Sequence, residues 1–298
     1  MGRHLINTFT AVAVSVAQLG LASPSFAQSE AAFEVARRVN IAGRQRMLSQ
    51  RMSKAACFVS LGVEPETQRS QLQSAFDLFS TSREALLSGS TDMGLSLEDH
   101  PEILESYEPV GRDWSFFSPL IEIALGEGTV DKSALKRIDQ VGVVLLANLN
   151  RAVNKTANFY GEAHHDMPLL LSITIDLAGR QRMFSQKAAK EFCLADAGVD
   201  DEANRANLAT TANLFTLTLQ ALIDGMPGMV MGAPNDEIRQ KLEAVAAAWQ
   251  GPHAVLVEVG NGGAITDEQR RVIANDMEQV LVLMNQAVAM YEDAIPSE

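Results

Sequence analysis

Cysteine is almost absent from this chain: Cys57 and Cys193 are the only two in 298 residues. That excludes a disulfide-framework fold and a cysteine-rich metal cluster. Aromatic residues make up 6 %, and alternating β-branched runs are missing. With Ala, Leu, Met, Gln and Glu abundant, the balance favours helices throughout. Basic residues are the minority, 24 against 37 acidic, for a net charge of −13. Such a chain repels nucleic acid and anionic membrane surfaces, so neither is an expected partner. Catalytic signatures are missing too. No Gly-rich phosphate loop or nucleophile elbow occurs, and His100, His164, His165 and His253 do not fall at metal-ligand spacing. No enzyme activity, metal or cofactor is expected.

What is present begins with residues 1–27. Arg3 and His4 give a weakly basic start, Thr10 to Ala22 is largely apolar, and Ser25-Phe26-Ala27 supplies the small residues of a cleavage site. This pattern reads as a secretory signal peptide with cleavage after Ala27. The alternative is an uncleaved anchor, but the apolar run falls short of the ~20 residues needed to span a bilayer. No later segment is long and apolar enough either, so the expected location is periplasmic, with no membrane span in the mature chain.

Asn40-Ile-Ala-Gly-Arg-Gln-Arg-Met-Leu-Ser-Gln-Arg-Met-Ser-Lys-Ala-Ala-Cys57 organises the rest. It returns as Asp176-Leu-Ala-Gly-Arg-Gln-Arg-Met-Phe-Ser-Gln-Lys-Ala-Ala-Lys-Glu-Phe-Cys193, offset by 136 residues. Further matches hold nearly the same offset: Gly89 with Gly225, Trp114 with Trp249, and Asn150-Arg-Ala-Val153 with Asn285-Gln-Ala-Val288. The chain reads as an internal duplication, residues 28–163 and 164–298, joined by a short hinge between Gly161 and Pro168.

Each half reads as four helices. The first runs from about Glu30 to Leu61, with Ile41, Gln45, Leu48, Met52, Ala55 and Val59 forming one mostly apolar stripe. Gly62-Val-Glu-Pro65 stops it. The second runs from about Glu66 to Leu87, with Leu72, Phe76, Leu78 and Phe79 facing inward. Ser96 to Leu125 carries Pro101, Pro109 and Pro119 and is expected to form a shorter, irregular third helix. Asp131 or Ser133 caps the fourth, which carries Val143, Val144, Leu146, Leu149 and Val153. The expected fold is all-α: two antiparallel four-helix bundles related by a pseudo-twofold axis.

Within the motif, Gly43 and Gly179 sit in helical sequence, where glycine costs about 1 kcal/mol against alanine. Either a neighbouring helix packs closely there or backbone approaches a ligand. Arg46 and Arg182 follow one turn on, on the same side as Ala42, Gly43, Ser49, Gln50 and Ser53. That side is small, polar and positive, whereas the Leu48–Met52 side is apolar. It is either a solvated face or a site for something polar. Arg44, Arg51 and Lys54, with Arg180, Lys187 and Lys190, supply a local basic site or simple surface charge.

If the two motif helices pack about an axis along their length, equivalent residues near the axis meet. Arg46 and Arg182 would then converge, and two guanidiniums repel unless an anion lies between them. Cys57 lies eleven residues beyond Arg46, on almost the same side and ~16 Å further along. Cys193 relates to Arg182 identically, which raises a Cys57–Cys193 disulfide as a hypothesis.

The motif Asn-x-Ala-Gly-Arg-Gln-Arg-Met-Leu-Ser-Gln-Arg-Met resembles that of PilJ-type, or NarX-like, sensor domains of nitrate/nitrite sensor kinases and chemoreceptors. The family pattern Ala-Gly-x-x-Arg-Met falls on Ala42, Gly43, Arg46 and Met47, and on Ala178, Gly179, Arg182 and Met183. The resemblance implies a four-helix extracytoplasmic domain that holds one anion between two motif helices, each supplying an arginine. Here one chain would carry both helices, with Gly43, Arg46, Met47, Gln50, Gly179, Arg182, Met183 and Gln186 as expected ligand-binding residues. Nitrate or nitrite is the ligand it implies, and a membrane-bound signalling partner the expected recipient of the signal. The competing reading is an interaction module, a helical scaffold for a chemoreceptor or type IV pilus-related system whose arginines bind a partner's carboxylates.

Overall fold

The computed structural model of the protein describes residues 24–126, 130–163 and 169–293. Within them the chain forms eight α-helices: α1 Pro24–Ser60, α2 Pro65–Ser88, α3 Pro101–Gly126, α4 Lys132–Ala163, α5 Leu169–Asp196, α6 Asp201–Asp224, α7 Asp236–Gly260 and α8 Asp267–Asp293. None of these helices is long and apolar enough to cross a membrane. Residues 1–23, nearly all of the expected signal peptide, lie outside the described residues, as do 127–129 and most of the expected hinge, 164–168.

Helices α1–α4 pack as one four-helix bundle and α5–α8 as a second, and the bundles meet along α1 and α5. Local detail recurs between them. Gln45 on α1 donates to the Ser82 hydroxyl on α2, and Gln181 on α5 pairs with Thr218 on α6. Trp114 stacks on Phe79 with ring centroids 4.3 Å apart, and Trp249 stacks on Phe215 at 4.0 Å. Each stack contributes about 0.5–1.5 kcal/mol beyond the area it buries. Both hairpins enter their second helix through a left-handed residue, Glu64 (φ 45°) and Asp200 (φ 40°), and both leave it through a positive-φ glycine, Gly89 (78°) and Gly225 (83°). Glycine alone takes that conformation without a Cβ clash.

Two equivalent pairs on α1 and α5 meet eleven residues apart, the arginines and the cysteines. Two helices can bring both pairs together only if they run parallel and in register, as a pseudo-twofold axis along the seam requires. The expected stripe on α1 is buried, with Ile41, Gln45, Leu48, Met52, Ala55 and Val59 each at most 5 % exposed. The polar side is buried as well: Ala42, Arg46, Ser49, Gln50 and Ser53 are at most 3 % exposed. The solvated-face reading is therefore set aside. With α2, α4 and α5 around it, α1 is buried along most of its motif, and Arg44 and Arg51 are only partly covered.

The third helix corrects the sequence reading. It is one continuous helix of 26 residues, with Pro109 and Pro119 inside it and Pro101 at its first position. A proline removes the hydrogen bond to the carbonyl four residues back. Here those carbonyls belong to Glu105 and Ser115, both exposed, so water replaces the lost partner. Meanwhile Ile103, Tyr107, Val110, Phe117, Ile121 and Ala124 recur at three- and four-residue spacing as the buried face. Packing along that face outweighs two losses on the wet side. On α4, Asp131 Oδ1 accepts from Ala134 N at 2.7 Å and is the cap. Leu146, Leu149 and Val153 are buried, but Val143 and Val144 are half-exposed.

Candidate functional site

Arg46 and Arg182 converge at the α1–α5 seam. A Cβ placed on Gly43 would lie 3.3 Å from Arg46 Nη2 and 3.9 Å from Arg182 Nη2; on Gly179 the corresponding distances are 3.4 Å to Arg182 and 3.9 Å to Arg46. Both guanidinium groups thus lie over both glycines. The near-equality of the two sets is the twofold relation at atomic scale. The glycines do not make room for a neighbouring helix's backbone, which has no atom within 4 Å of either position. They make room for the two cations.

Each arginine reaches across the seam to the residue six positions before its counterpart. Arg46 Nη2 donates to Asp176 Oδ1 at 2.6 Å, and Arg182 Nη2 donates to Asn40 Oδ1 at 2.6 Å. Arg182 Nη1 also makes a long bond, 3.4 Å, to Asn285 Oδ1 on α8. Asp176 is shared, because Arg180 Nε donates to its other oxygen at 2.7 Å.

Most of the remaining donors are buried without acceptors. Among the described residues, Arg46 Nε and Nη1 and Arg182 Nε have no hydrogen-bond partner, and neither have the Oε1 atoms of Gln50 and Gln186. Buried donors are nearly always satisfied, and this chain does satisfy a buried arginine elsewhere. Arg38, 2 % exposed, donates to Leu86 O, Glu98 Oε2, Glu34 Oε1 and Ser96 O, all within 3.1 Å. Arg46 is equally buried, at 1 %, and uses one of its donors.

Electrostatics records the same deficit. Burial pulls the Arg182 guanidinium down to about 9, Arg44 and Arg46 add repulsion, and Glu292 offsets part of it. Arg182 is still a cation at neutral pH. Arg46 is lowered by burial as well, with Asp176 opposing. Burial works to raise the Asp176 carboxyl, but Arg46 and Arg180 outweigh it and hold the group below its ordinary value. Glu292 goes the other way: burial raises it to about 6 despite Arg182 nearby.

Arg44 and Arg180 border the site, but the remaining basic residues of the motifs do not join it. Arg51 and Lys54 both pair with Glu278 on α8. Lys190 pairs with Asp139 on α4 at 2.5 Å, and Lys187 with Glu191. These are ion pairs, interhelical except for Lys187–Glu191 within α5, rather than a basic patch. Met47 and Met183 belong to the apolar core. Gln50 and Gln186 lie on the seam stripe, donating to Ser49 and Ser185; Gln186 also bonds Met277 O on α8. Sequence reasoning gave no role to Asn285 or Glu292. Asn285 stood in a matched pair with Asn150, which was a usable signal, but Glu292 had none.

At the far end of the seam Cys57 and Cys193 form a disulfide, with Cα atoms 6.1 Å apart. The hypothesis drawn from symmetry holds. Elsewhere, Glu98, Asp99 and His100 bring possible metal-ligand atoms within 4.8 Å of one another. Glu98 is already taken by Arg38 and by the Tyr160 hydroxyl.

Two parallel motif helices, each flanked by three helices, are joined at a buried polar seam, and the whole is an all-helical pair of bundles. Residues 27–138 and 172–274 match the family described as PilJ, the N-terminal region of type IV pili methyl-accepting chemotaxis transducers. The chain belongs to that family, which gives it a sensory role in signal transduction. Among curated proteins it is similar to the methyl-accepting chemotaxis protein McpN of Pseudomonas aeruginosa, 24 % identical over 267 residues. The match covers 86 % of this chain and 44 % of McpN, so the chain spans less than half the length of that relative.

Proposed function

We propose that this chain is a periplasmic anion-binding sensor component that takes nitrate or nitrite between Arg46 and Arg182 and passes the binding event to a membrane-bound signalling partner. One observation carries the reading: two guanidiniums converge over paired glycines with buried donors left unsatisfied. A flat, singly charged oxyanion matches planar donors of this kind, and it would relieve the repulsion that draws Arg182 down. Gly43 and Gly179 provide the clearance, while Gln50 and Gln186 border the site along the seam. Met47 and Met183 back the arginine-bearing turns from the core. On this reading residues 28–163 and 164–298 are two copies of one domain, exported behind a signal peptide cleaved after Ala27.

A second reading has one observation in its favour. Asp176 already pairs with Arg46, as it would in a scaffold whose arginines serve only to join helices. Titration calorimetry with nitrate, nitrite, sulfate and acetate separates the two. Nitrate or nitrite should release or absorb heat saturably, and Arg46→Ala plus Arg182→Ala should abolish it. Heat that survived the double variant would refute the site, and no heat with any of the four anions would leave the scaffold.

A further inference from the structure

The seam is symmetric in shape and asymmetric in charge. Asn40 and Asp176 occupy equivalent positions, make equivalent bonds to the opposite arginine, and differ by one unit of charge. Asp176 is only 16 % exposed, so solvent screens little of that charge. Its two oxygens are held by Arg46 and Arg180, which fixes the carboxylate against the guanidinium an incoming anion must approach. Arg182 is bonded directly only to amide oxygens, from Asn40 and Asn285, with the Glu292 carboxyl nearby rather than bonded to it.

Arg46, Arg182 and Asp176 together carry one net positive charge. Arg180 lies at the edge, 37 % exposed and bonded also to Asn154, and Arg44 and Glu292 face one another with opposite charges. We infer that Asp176 is a specificity-determining residue, a built-in carboxylate that occupies Arg46 in part and tunes the seam for one monovalent anion against divalent ones. The inference rests on the anion-binding reading above. Its physical basis is Coulombic. A carboxylate a few ångströms from the ligand opposes an anion in proportion to the ligand's charge, and burial magnifies the effect. A dianion also leaves more hydration behind on entry.

The paired sequence supplies its own controls. Asn40 shows that an amide oxygen is enough to seat a buried guanidinium here, so Asp176→Asn should leave the seam folded. Calorimetry of the full chain with sodium nitrate and sodium sulfate would compare four proteins: wild type, D176N, N40D and the exchange variant N40D/D176N. D176N should bind nitrate about tenfold more tightly or better and should gain sulfate binding. N40D places a second carboxylate on Arg182 and should weaken nitrate by a similar factor. The exchange variant moves the charge to the other side of the axis and should return to within about threefold of wild type. Heat from nitrate in D176N but not in wild type would also support the inference, as the carboxylate would then fill the site outright. Binding that needs both arginines yet is unchanged or weaker in D176N would overturn this inference and leave the anion reading standing. No binding in any of the four would overturn both. Thermal melting of each variant distinguishes lost affinity from lost fold.

Discussion

The α1–α5 seam has two ends, and they treat buried charge in opposite ways. At the cysteine end the two bundles are joined by Cys57–Cys193, and each buried lysine finds a carboxylate from the other bundle: Lys54 on α1 meets Glu278 on α8, and Lys190 on α5 meets Asp139 on α4. Lys54, fully buried, has a second acceptor in Gln71. At the arginine end two cations face each other, only Arg46 of the two is paired with a carboxylate, and buried donors are left without acceptors. Both ends are built from the same pair of helices, so the difference is not a shortage of acceptors in the fold. One end is closed by bonds internal to the chain. The other is left with an electrostatic demand that internal groups meet only in part, and the proposed anion site rests on that demand.

The comparison can be broken first at the closed end, where the largest loss of stability is expected. The disulfide closes a loop of 136 residues. Replacing both cysteines with serine should lower unfolding free energy by about 3–5 kcal/mol, measured as a shift of the denaturant midpoint at constant slope. If the bundles are held chiefly by side-chain packing, the shift will be much smaller and the covalent closure loses its importance. Next comes Glu278→Gln. It strips Lys54 of its carboxylate while burial already pulls that lysine's pKa down, so the variant should lose about 3 kcal/mol. A loss below about 0.5 kcal/mol, the usual scale of an exposed pair, would show that the closed end is not electrostatically closed.

How far the sequence anticipates this contrast depends on distance along the chain. Helix existence and the seam stripe were legible, because Ile41 to Val59 repeat every three or four residues and because two cysteines and two arginines keep one offset. The disulfide followed from that register alone. The closed end's ion pairs were not legible. Lys54 and Lys190 looked like part of a basic site beside the arginines, and nothing local marks Glu278 or Asp139 as their partners. Those two acids do not occupy equivalent positions: the offset of 135 that matches α4 with α8 carries Asp139 onto Ala274. The continuous α3 was missed for a related reason. Proline statistics describe the backbone alone, whereas Ile103 to Ala124 pack a full buried face that only the assembled bundle reveals. The pairing of Asn40 with Asp176 was visible, but not that each would bind the arginine of the other helix.

At the open end a matched substitution should behave differently. Arg182→Met removes one of two like charges and fills its volume with an apolar chain, a change that is often neutral or stabilising for imperfectly paired buried ions. Stability is expected to stay within about 1 kcal/mol of wild type or to rise, while the proposed nitrate binding should be lost. The contrast with Glu278→Gln is the test: equal destabilisation by the two would mean that both ends are structural ion pairs and that the open end holds no unmet demand.

The smallest effect should come from Glu292, and its sign is distinctive. Burial raises this carboxyl from 4.5 to about 6, against the opposing pull of Arg182, the Asn40 amide and Arg37, and with repulsion from Asp293 adding to it. The folded state therefore holds the Glu292 proton more tightly than the unfolded chain does. Its contribution to stability is fully present below about pH 4.5 and is lost as pH rises through about 6. Asp176 and Glu278 are held below their ordinary values, so their contributions disappear only in more acid solution, as pH falls through those lowered values. Glu292→Gln should flatten the dependence between pH 4.5 and 6 and raise stability at neutral pH by less than about 1 kcal/mol, since the group is partly exposed and screened. On the proposed anion-binding reading the same proton matters to the ligand. An ionised Glu292 beside Arg182 opposes an anion on that arm, so nitrate should bind more tightly at pH 5 than at pH 7 in the wild type, and the difference should shrink in Glu292→Gln. The Asp176→Asn variant supplies the internal comparison: its gain in affinity should persist at both pH values, because that carboxylate stays ionised throughout the interval. If removing Glu292 leaves the pH dependence of nitrate binding intact, the proton is being taken up elsewhere on the seam, and the second arm is open in a way that Glu292 does not control.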